Sequence, residues 1–378
     1  MKNNLNLAFL IGTRPELIKI FPVYQNFIEE SRHQITLIST GQHKEQLNKN
    51  LGVFKVKTDI DLKLMKKNQT WTGFLFEAIP KIELELKKTK PDFLFVQGDT
   101  VSALAGAIVS NYLKIPLGHI EAGLRTHSED EPFPEEINRK LIAQMTTLNF
   151  APTEKAKTNL LTEKIPNNKV FVTGNTIVDS VNHMGFEKCK NYLQNNKVLV
   201  TLHRQDSIPY LPRILEKIAR FANSQKNLEF IFPLHLNPKI RSLVEPVLEP
   251  IGNIKIIEQT SYKNLLEIMK KSMFVISDSG GIQEEAAILN IPLAVARDLT
   301  ERQESLDEKI SILLGRNSEN FKKNLDSFFQ KIQNQKINFE KNPYGDGDAS
   351  KRISNIVHKF CGLKQIHKNI NPEYKAKK

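Results

Sequence analysis

Short apolar segments alternate with longer amphipathic segments along nearly the whole chain, and this alternation constrains the fold more than any other feature. Several apolar segments are continuously apolar, which is typical of parallel strands covered by helices on both faces. The pattern therefore predicts an α/β protein with parallel sheets. The predicted strands are 5–11, 34–39, 92–97, 115–120, 148–152, 169–174, 197–202, 228–234, 253–258, 272–277 and 291–296.

The number of predicted strands argues for two sheets. About eleven strands are too many for one compact doubly wound sheet, and 378 residues exceed what one hydrophobic core usually organises. We therefore expect two Rossmann-like domains, 1–168 and 169–348, divided where Pro and two Asn precede a strand. A terminal helix is predicted over 349–363 and a basic, partly frayed tail over 364–378. The other predicted helices are 15–30, 72–88, 100–113, 135–144, 153–162 and 211–223.

Charge and composition exclude several classes of function. The net charge is +12, but residues 351–378 carry much of the excess, so no nucleic-acid partner is expected for the core. No apolar run approaches the roughly 20 residues that cross a bilayer. The first apolar segment is too short for a signal peptide and lacks a cleavage site. Two cysteines, Cys189 and Cys361, cannot form a disulfide framework. We expect a cytoplasmic protein without membrane insertion.

Polar residues follow the predicted strands, at the edge where ligands of parallel sheets bind. Arg14 and Lys19 come after the first strand, where they either meet phosphate oxygens or are structural. The spacing is not that of a Walker loop. Asp99 follows the strand at 92–97 and is either a catalytic base or the cap of the next helix.

Two further clusters in the front half carry carboxylates. Glu121 ends the strand that also holds a histidine, and a carboxylate there is either paired with an arginine or functional. Glu135 and Arg139 share one face of a predicted helix, at a spacing that also fits an exposed surface pair.

The back half of the chain predicts an anion site. His203 and Arg204 follow one strand, and His235 follows the next. Ser279-Gly280-Gly281 opens a helix after a strand, so its backbone N–H groups are able to face a phosphate. There is no zinc-binding spacing, HExxH or GxSxG motif, which disfavours a metal-centred mechanism. Carboxylates, histidines and an anion cradle together suit proton transfer beside a phosphorylated leaving group.

Taken together, the clusters resemble the UDP-N-acetylglucosamine 2-epimerase family in its non-hydrolysing bacterial form. The resemblance implies a GT-B-like fold, in which two Rossmann-type domains face a central cleft and the terminal helix returns to the first domain. The matching segments are GTRPELIK, GQH, GDT, GHIEAGLRT, PFPEEINR, TGNTIVD, HR, HLNP, SDSGGIQEEA, RDLTER and NPYGDG, and they run from residue 12 to 347.

The resemblance also implies a reaction, the reversible interconversion of UDP-GlcNAc and UDP-ManNAc for cell-surface polysaccharide precursors. In this family UDP is expelled by anti elimination, 2-acetamidoglucal is held by the enzyme, and UDP is then added back. No metal or NAD is expected, since UDP itself is retained as the reaction intermediate. Family members are usually homodimers.

The resemblance assigns roles position by position. Gln42 and His235 fit a second, allosteric UDP-GlcNAc site, but this chain departs from the family at Glu45, Asn68, Asp206 and Gln303, which weakens the expectation of allosteric activation. The implied catalytic residues are Asp99, Glu121, Glu135, Arg139 and His203, and the implied UDP-sugar contacts are Arg14, Lys19, Arg204, Ser279, Gly280, Gly281, Glu285 and Arg302.

Four alternatives stay open from the sequence. One is a hydrolysing epimerase that releases ManNAc and UDP, and another is a 2-epimerase of a modified UDP-HexNAc, such as a diacetamido or uronate sugar. A GT-B glycosyltransferase would share the fold and the donor but need an acceptor. A nucleotide-sugar-binding protein without catalysis would have no use for the three carboxylates.

Overall fold

A computed structural model describes residues 4–42, 51–66, 69–235, 237–316, 319–339 and 342–375 of the chain. The chain divides into two compact units. The first unit consists of Met1–His183 together with Tyr344–Lys378, and the second unit is Met184–Pro343.

Each unit is built on one parallel sheet. Within the described residues, the first unit has a seven-stranded sheet in the order β3-β2-β1-β4-β5-β6-β7, and the second has six strands in the order β10-β9-β8-β11-β12-β13. Every strand pair is parallel. The strands are β1 Asn6–Ile11, β2 Gln34–Ser39, β3 Ile60–Asp61, β4 Phe93–Gln97, β5 Leu117–Ile120, β6 Leu148–Ala151, β7 Val170–Val172, β8 Lys197–Thr201, β9 Glu229–Pro233, β10 Ile254–Ile257, β11 Ser272–Ser277, β12 Leu293–Val295 and β13 Ser311–Leu313.

Threonine and serine side chains cap the N-termini of several helices. Thr100 Oγ1 accepts the N–H of Ala103, and Ser261 Oγ accepts that of Asn264, so each satisfies a backbone donor that lacks a helical partner.

Among the described residues, no helix is both long enough and apolar enough to cross a membrane. The helices are α1 Arg14–Glu29, α2 Trp71–Thr89, α3 Val101–Tyr112, α4 Glu135–Met145, α5 Glu154–Thr162, α6 Thr176–His183, α7 Leu211–Ser224, α8 Pro238–Leu248, α9 Tyr262–Lys270, α10 Gly280–Ile288, α11 Gln303–Asp307, α12 Phe321–Gln333 and α13 Ala349–Phe360.

The cores lie between the sheets and their helices. In the first unit, Phe9 of β1 and Phe95 of β4 stack with ring centroids 4.5 Å apart, and both are fully buried. In the second unit, Phe221 of α7 packs edge-on against Phe230 of β9 and Phe274 of β11. Both faces of the central strands are therefore covered, as continuously apolar strands require.

The predicted domain boundary at residue 168 is wrong. β7 pairs with β6 through Asn149 and Val170, and it therefore completes the sheet of the first unit. α6 packs against α1 and also belongs to the first unit. The boundary lies after His183, because the Pro- and Asn-containing segment is an ordinary connection between α5 and β7. The chain returns from the second unit to the first at Tyr344, whose carbonyl accepts the N–H of Asn175 at 2.7 Å.

The predicted frayed tail is also wrong for residues 364–375. Asn355 of α13 holds the backbone of His367 through two hydrogen bonds, and Arg352 donates to the carbonyl of Asn371. The N–H of Tyr374 donates to Val172 of β7 at 2.7 Å, and the Tyr374 side chain is buried. The tail is therefore fastened to α13 and to the outermost strand of the first sheet.

Candidate active site

The predicted residues of the first unit lie after three neighbouring strands. β1, β4 and β5 are adjacent in the sheet and end at Ile11, Gln97 and Ile120. Because the strands are parallel, the segments that follow them meet at the same edge of the sheet. These segments carry Arg14, Asp99 and Glu121.

Glu121 is buried and held from three sides. The backbone of Glu121 adopts a left-handed conformation, with φ of 66°. Lys19 of α1 forms a buried ion pair with its carboxylate, and Gln97 of β4 donates a hydrogen bond to the other oxygen. Asn175 donates to Glu121 Oε1 at 3.3 Å. Of the two roles that the sequence left open, pairing is present, but the partner is a lysine and not an arginine.

Asp99 forms an ion pair with Arg139 of α4. Arg139 Nε and Nη2 lie 2.8 and 2.6 Å from Asp99 Oδ2, and Arg139 Nη1 donates to Glu136 at 2.7 Å. Asn138 donates to the carbonyl of Asp99 at 2.8 Å, so the first turn of α4 lies beside it. Glu135, the first residue of α4, is half-buried. The structure thus brings Asp99, Arg139 and the start of α4 together.

Glu16 is a buried carboxylate that follows β1. It accepts hydrogen bonds from the N–H groups of Gly12 and Thr13 at 3.0 and 2.7 Å, and from Thr100 Oγ1 at 2.7 Å. Burial raises the pKa of Glu16 to about 7, against the effect of these hydrogen bonds. Arg14, at the first position of α1, is half-exposed, as a residue that contacts a ligand would be.

His119 supports the turn that carries Asp99. It is buried in β5, and its Nε2 lies 2.7 Å from the carbonyl oxygen of Gly98. Burial lowers the pKa of His119 to about 4, so the ring is neutral at pH 7 and Nε2 is the atom that donates. A Cβ added to Gly98 would lie 3.9 Å from Glu121 Oε2, which places the Glu121 carboxylate against this same turn.

In the second unit, the loops after β8 and β11 are joined by a buried acid. Asp278 is fully buried, and its carboxylate accepts the backbone N–H groups of His203 at 3.2 Å and Arg204 at 3.1 Å. The rings of His203 and His235 stack with centroids 5.6 Å apart. Asp278 therefore fixes the loop that presents the His203 ring, which is one-third exposed.

The start of α10 has the form of an anion site. Ser279 is its N-cap residue and Gly280 its first residue, so unpaired backbone N–H groups lie at this end of the helix. A Cβ added to Gly280 would lie 2.7 Å from Arg302 Nη1, so only glycine lets the guanidinium approach. A Cβ on Gly281 would lie 3.8 Å from Glu285 Oε1, and that carboxylate accepts a hydrogen bond from Tyr262 at 2.8 Å.

The two predicted phosphate-binding arginines of this unit are already ion-paired. Buried Arg302 donates to Glu284 at 3.0 Å and contacts Glu301. Arg204 donates to Asp206 at 2.9 Å. The carboxylates thus hold both guanidiniums in place, and they also neutralise part of the positive charge of the guanidiniums.

The residues predicted for an allosteric site are only partly described. Gln42 is buried and accepts a hydrogen bond from Ser102 at 2.7 Å. Glu45 and Asn68 lie outside the described residues. Gln303 is the first residue of α11.

One cluster brings three metal-ligating side chains together among the described residues. The ligand atoms of Glu30, His33 and His358 lie within 4.8 Å of one another. The N–H of Leu5 donates to His33 Nδ1 at 3.1 Å, so a neutral His33 ring carries its proton on Nε2 and offers no lone pair there. Arg32 adds a guanidinium 3.2 Å from His358 Nε2. The cluster therefore fits an ionic network better than a metal site.

Comparison with known proteins identifies the family. The model of the family described as UDP-N-acetylglucosamine 2-epimerase matches residues 26–358, which is most of the chain. The chain belongs to this family. Its sequence is 38% identical over 368 residues to the UDP-N-acetylglucosamine 2-epimerase of Neisseria meningitidis serogroup A, covering 92% of this chain and 98% of that relative.

Solved structures of this epimerase family agree with the fold. The TM-score is 0.91 to S. aureus MnaA in its co-structure with UDP, at 32% identity over 98% of this chain and 100% of that one. It is 0.87 to the UDP-GlcNAc 2-epimerase from Neisseria meningitidis bound to UDP-GlcNAc, at 35% identity over 94% of this chain and 100% of that one. The predicted family, the epimerase class and the GT-B-like α/β fold are confirmed.

Sequence reasoning missed three buried acids of this epimerase, Glu16, Glu136 and Asp278. All three lie inside motifs that the sequence had already singled out, beside residues that were selected. A signal existed for Glu136, because it lies three residues before Arg139 and seven before buried Ala143, which is the spacing of one inward helix face. Glu16 has the same signal, because it lies three residues before Lys19 and seven before buried Val23, whereas no such spacing marks Asp278.

Proposed function

We propose that this chain is a non-hydrolysing UDP-N-acetylglucosamine 2-epimerase that interconverts UDP-GlcNAc and UDP-ManNAc. Membership of the family supports this, as do the relatives solved with UDP and with UDP-GlcNAc. The observation that carries the proposal is the Asp99–Arg139 pair, in which the guanidinium binds one oxygen of the carboxylate. The pair holds Asp99 beside the start of α4.

The reaction must move a hydrogen that is hardly acidic, because C2 of the sugar has no adjacent carbonyl. In the proposed path, a base removes the C2 proton while the C1–O bond to the diphosphate breaks. The C2–H electron pair becomes the C1=C2 double bond, and the C1–O pair leaves with UDP. Protonation of C2 from the opposite face and return of UDP to C1 complete the inversion. Two proton-handling groups and a stabilised diphosphate are therefore needed.

The first unit supplies the proton-handling groups in this proposal. Asp99, Glu121 and Glu135 are the carboxylates that act at C2 or support that step. Arg139 forms an ion pair with Asp99, and Lys19 forms one with Glu121.

The second unit supplies the diphosphate site in this proposal. Backbone N–H groups at the start of α10 face the anion, and His203 and Arg204 add donors from a loop fixed by Asp278. Arg302 contributes a charge beside Gly280. Glu285, oriented by Tyr262, accepts hydrogen bonds from the ribose hydroxyls.

We also propose that no metal or NAD takes part. Elimination and re-addition change no net oxidation state, and UDP is carried through the reaction as an intermediate. We further propose a cytoplasmic homodimer, on the strength of the family resemblance. Sedimentation of the purified chain tests the dimer.

The deciding experiment is NMR of the chain with UDP-GlcNAc in D2O. We expect UDP-ManNAc to appear, deuterium to enter C2 of both sugars, and no free ManNAc to accumulate. ManNAc accumulating with UDP would instead indicate the hydrolysing reaction, and turnover without C2 exchange would contradict the proton-transfer path. Asp99→Asn should lower kcat by about 10²–10⁴-fold and leave UDP affinity nearly unchanged. Unchanged turnover in that variant would contradict the role of Asp99.

A further inference from the structure

Arg139 is shared between two carboxylates. Its Nε and Nη2 both approach Asp99 Oδ2, at 2.8 and 2.6 Å, and its Nη1 donates to Glu136 Oε2 at 2.7 Å. Arg139 and Glu136 are buried, whereas the Asp99 side chain is 27% exposed. The three residues therefore form a row of alternating charge that leads from the interior to the site.

Glu136 is fixed independently of Arg139. Its oxygens accept the backbone N–H groups of Thr126 at 3.1 Å and His127 at 3.2 Å, and its side chain is fully buried. Thr126 Oγ1 in turn donates to the carbonyl of Glu131 at 2.6 Å. The loop that leads into α4 therefore fixes the position of the Glu136 carboxylate.

This placement determines how Arg139 meets Asp99. Because Nη1 is held by Glu136, the guanidinium presents only Nε and Nη2 to the aspartate, and both reach the same oxygen. Among the described residues, none donates a hydrogen bond to Asp99 Oδ1. One oxygen of Asp99 is anchored and the other stays available as a proton acceptor.

We propose that Glu136 is a positioning residue that sets the basicity of Asp99 by sharing the charge of Arg139. A guanidinium that faced Asp99 alone would stabilise the carboxylate more strongly and make it a weaker base. Glu136 takes up part of that charge and also fixes which oxygen is bound. This inference rests on the proposed function, in which Asp99 exchanges a proton with C2.

The other charged groups around Asp99 lie on separate elements. His119 on β5 is neutral at pH 7, because burial lowers its pKa to about 4. Glu121 is paired with Lys19 of α1, and Glu16 reaches the neighbouring Thr100. None of these groups contacts Glu136, so a substitution there changes the charge on one side of Asp99 only.

The test is Glu136→Gln, which keeps the size of the side chain and one acceptor oxygen while removing the charge. The acid limb of the kcat/KM profile should move to lower pH by about 0.5–1 unit, since Asp99 now meets an unshared guanidinium. At pH 7, kcat should fall by about two- to threefold, because Asp99 becomes a weaker base, with KM nearly unchanged. A purely structural role would lower activity and thermal stability without moving the limb, and that result would overturn the proposal.

Two controls make the test specific. Glu163 pairs with buried Arg125 through two hydrogen bonds, at 2.7 and 2.6 Å, in the same unit, so Glu163→Gln removes a comparable charge and should leave the limb in place. If Glu136→Gln does not fold, Glu136→Asp keeps the charge near Arg139. This variant should lower kcat without moving the acid limb of the kcat/KM profile. A displaced acid limb would overturn the proposal.

A substrate-free measurement separates this inference from the proposed function. The Asp99 carboxyl is titrated by ¹³C NMR in aspartate-labelled protein, with Asp99→Asn assigning the signal. Its pKa should be lower in Glu136→Gln than in the wild type. If the wild type lacks epimerase activity, the proposed function fails but this comparison still decides the role of Glu136. An equal or higher pKa in the variant would overturn it.

Discussion

At the scale of single residues, the site depends on partners that are distant in sequence. Lys19 was predicted to contact the UDP-sugar, and in the structure it forms a buried ion pair with Glu121, 102 residues later in the chain. The sequence identified both residues from their positions after strands. It could not identify the pair, because the contact exists only once α1 packs against the sheet that contains β5. Asp278 escaped selection for the same reason, since burial decides its importance.

The Lys19–Glu121 pair yields a prediction about stability. Lys19→Met removes one partner and leaves a buried carboxylate uncompensated, so the free energy of unfolding should fall by about 3 kcal/mol. In Lys19→Met/Glu121→Gln the isolated charge is gone and most of that loss should be recovered. Urea unfolding of the two single variants and the double variant measures the coupling. If Lys19→Met weakens UDP binding but unfolds like the wild type, Lys19 acts as a phosphate ligand and not as a structural partner.

At the scale of elements, most strands were predictable, but β3, β13 and several helices, among them the 13-residue α12, were not. Each of the eleven predicted strands contains an observed strand, because its apolar run is long enough to stand out. β3 has two residues, too few to form a pattern, and β13 was missed although it is as long as the predicted β7 and β12. The boundary error arises because nothing in the sequence of β7 shows which sheet it joins. Only its pairing with β6 places it in the first unit.

The docked tail yields a prediction at this scale. Tyr374 is buried, lies beneath the Arg352 guanidinium at 5.7 Å and pairs with β7 through its N–H. Tyr374→Ala should lower the free energy of unfolding of the first unit by about 2 kcal/mol, since it exposes a buried aromatic contact. Urea unfolding measures this, and the exposed Tyr112, in Tyr112→Ala, is the matched control with an expected change below about 0.5 kcal/mol. Equal effects of the two substitutions would mean that the tail adds no stability in solution.

At the scale of the whole molecule, three carboxylates of the first unit have strongly shifted pKa values. Burial raises the pKa of Glu16 from 4.5 to about 7 and that of Asp179 from 3.8 to about 6. For Glu30, burial favours a higher pKa, but hydrogen bonds from His33, His358 and Ser354 outweigh it and lower the pKa to about 2. The stability of the first unit should therefore depend on pH through these three groups.

The signs of these shifts set where the first unit is most stable. The contribution of Glu30 is present above pH 4.5 and is lost as pH falls toward 2, because its folded pKa is lowered. The contributions of Glu16 and Asp179 are present below about pH 4 and are lost as pH rises through 6 and 7, because their folded pKa values are raised. Stability should therefore reach its maximum near pH 4 and decline on both sides.

The single tryptophan, Trp71 at the start of α2, allows the first unit to be followed by itself. Urea unfolding monitored by its fluorescence should give a higher midpoint at pH 4 than at pH 2 or pH 8. In Glu16→Gln the group no longer titrates, so the decline between pH 5 and pH 8 should become shallower, by an amount of the order of 2–3 kcal/mol. A tryptophan-monitored midpoint that is the same at all three pH values would show that the buried carboxylates do not govern stability.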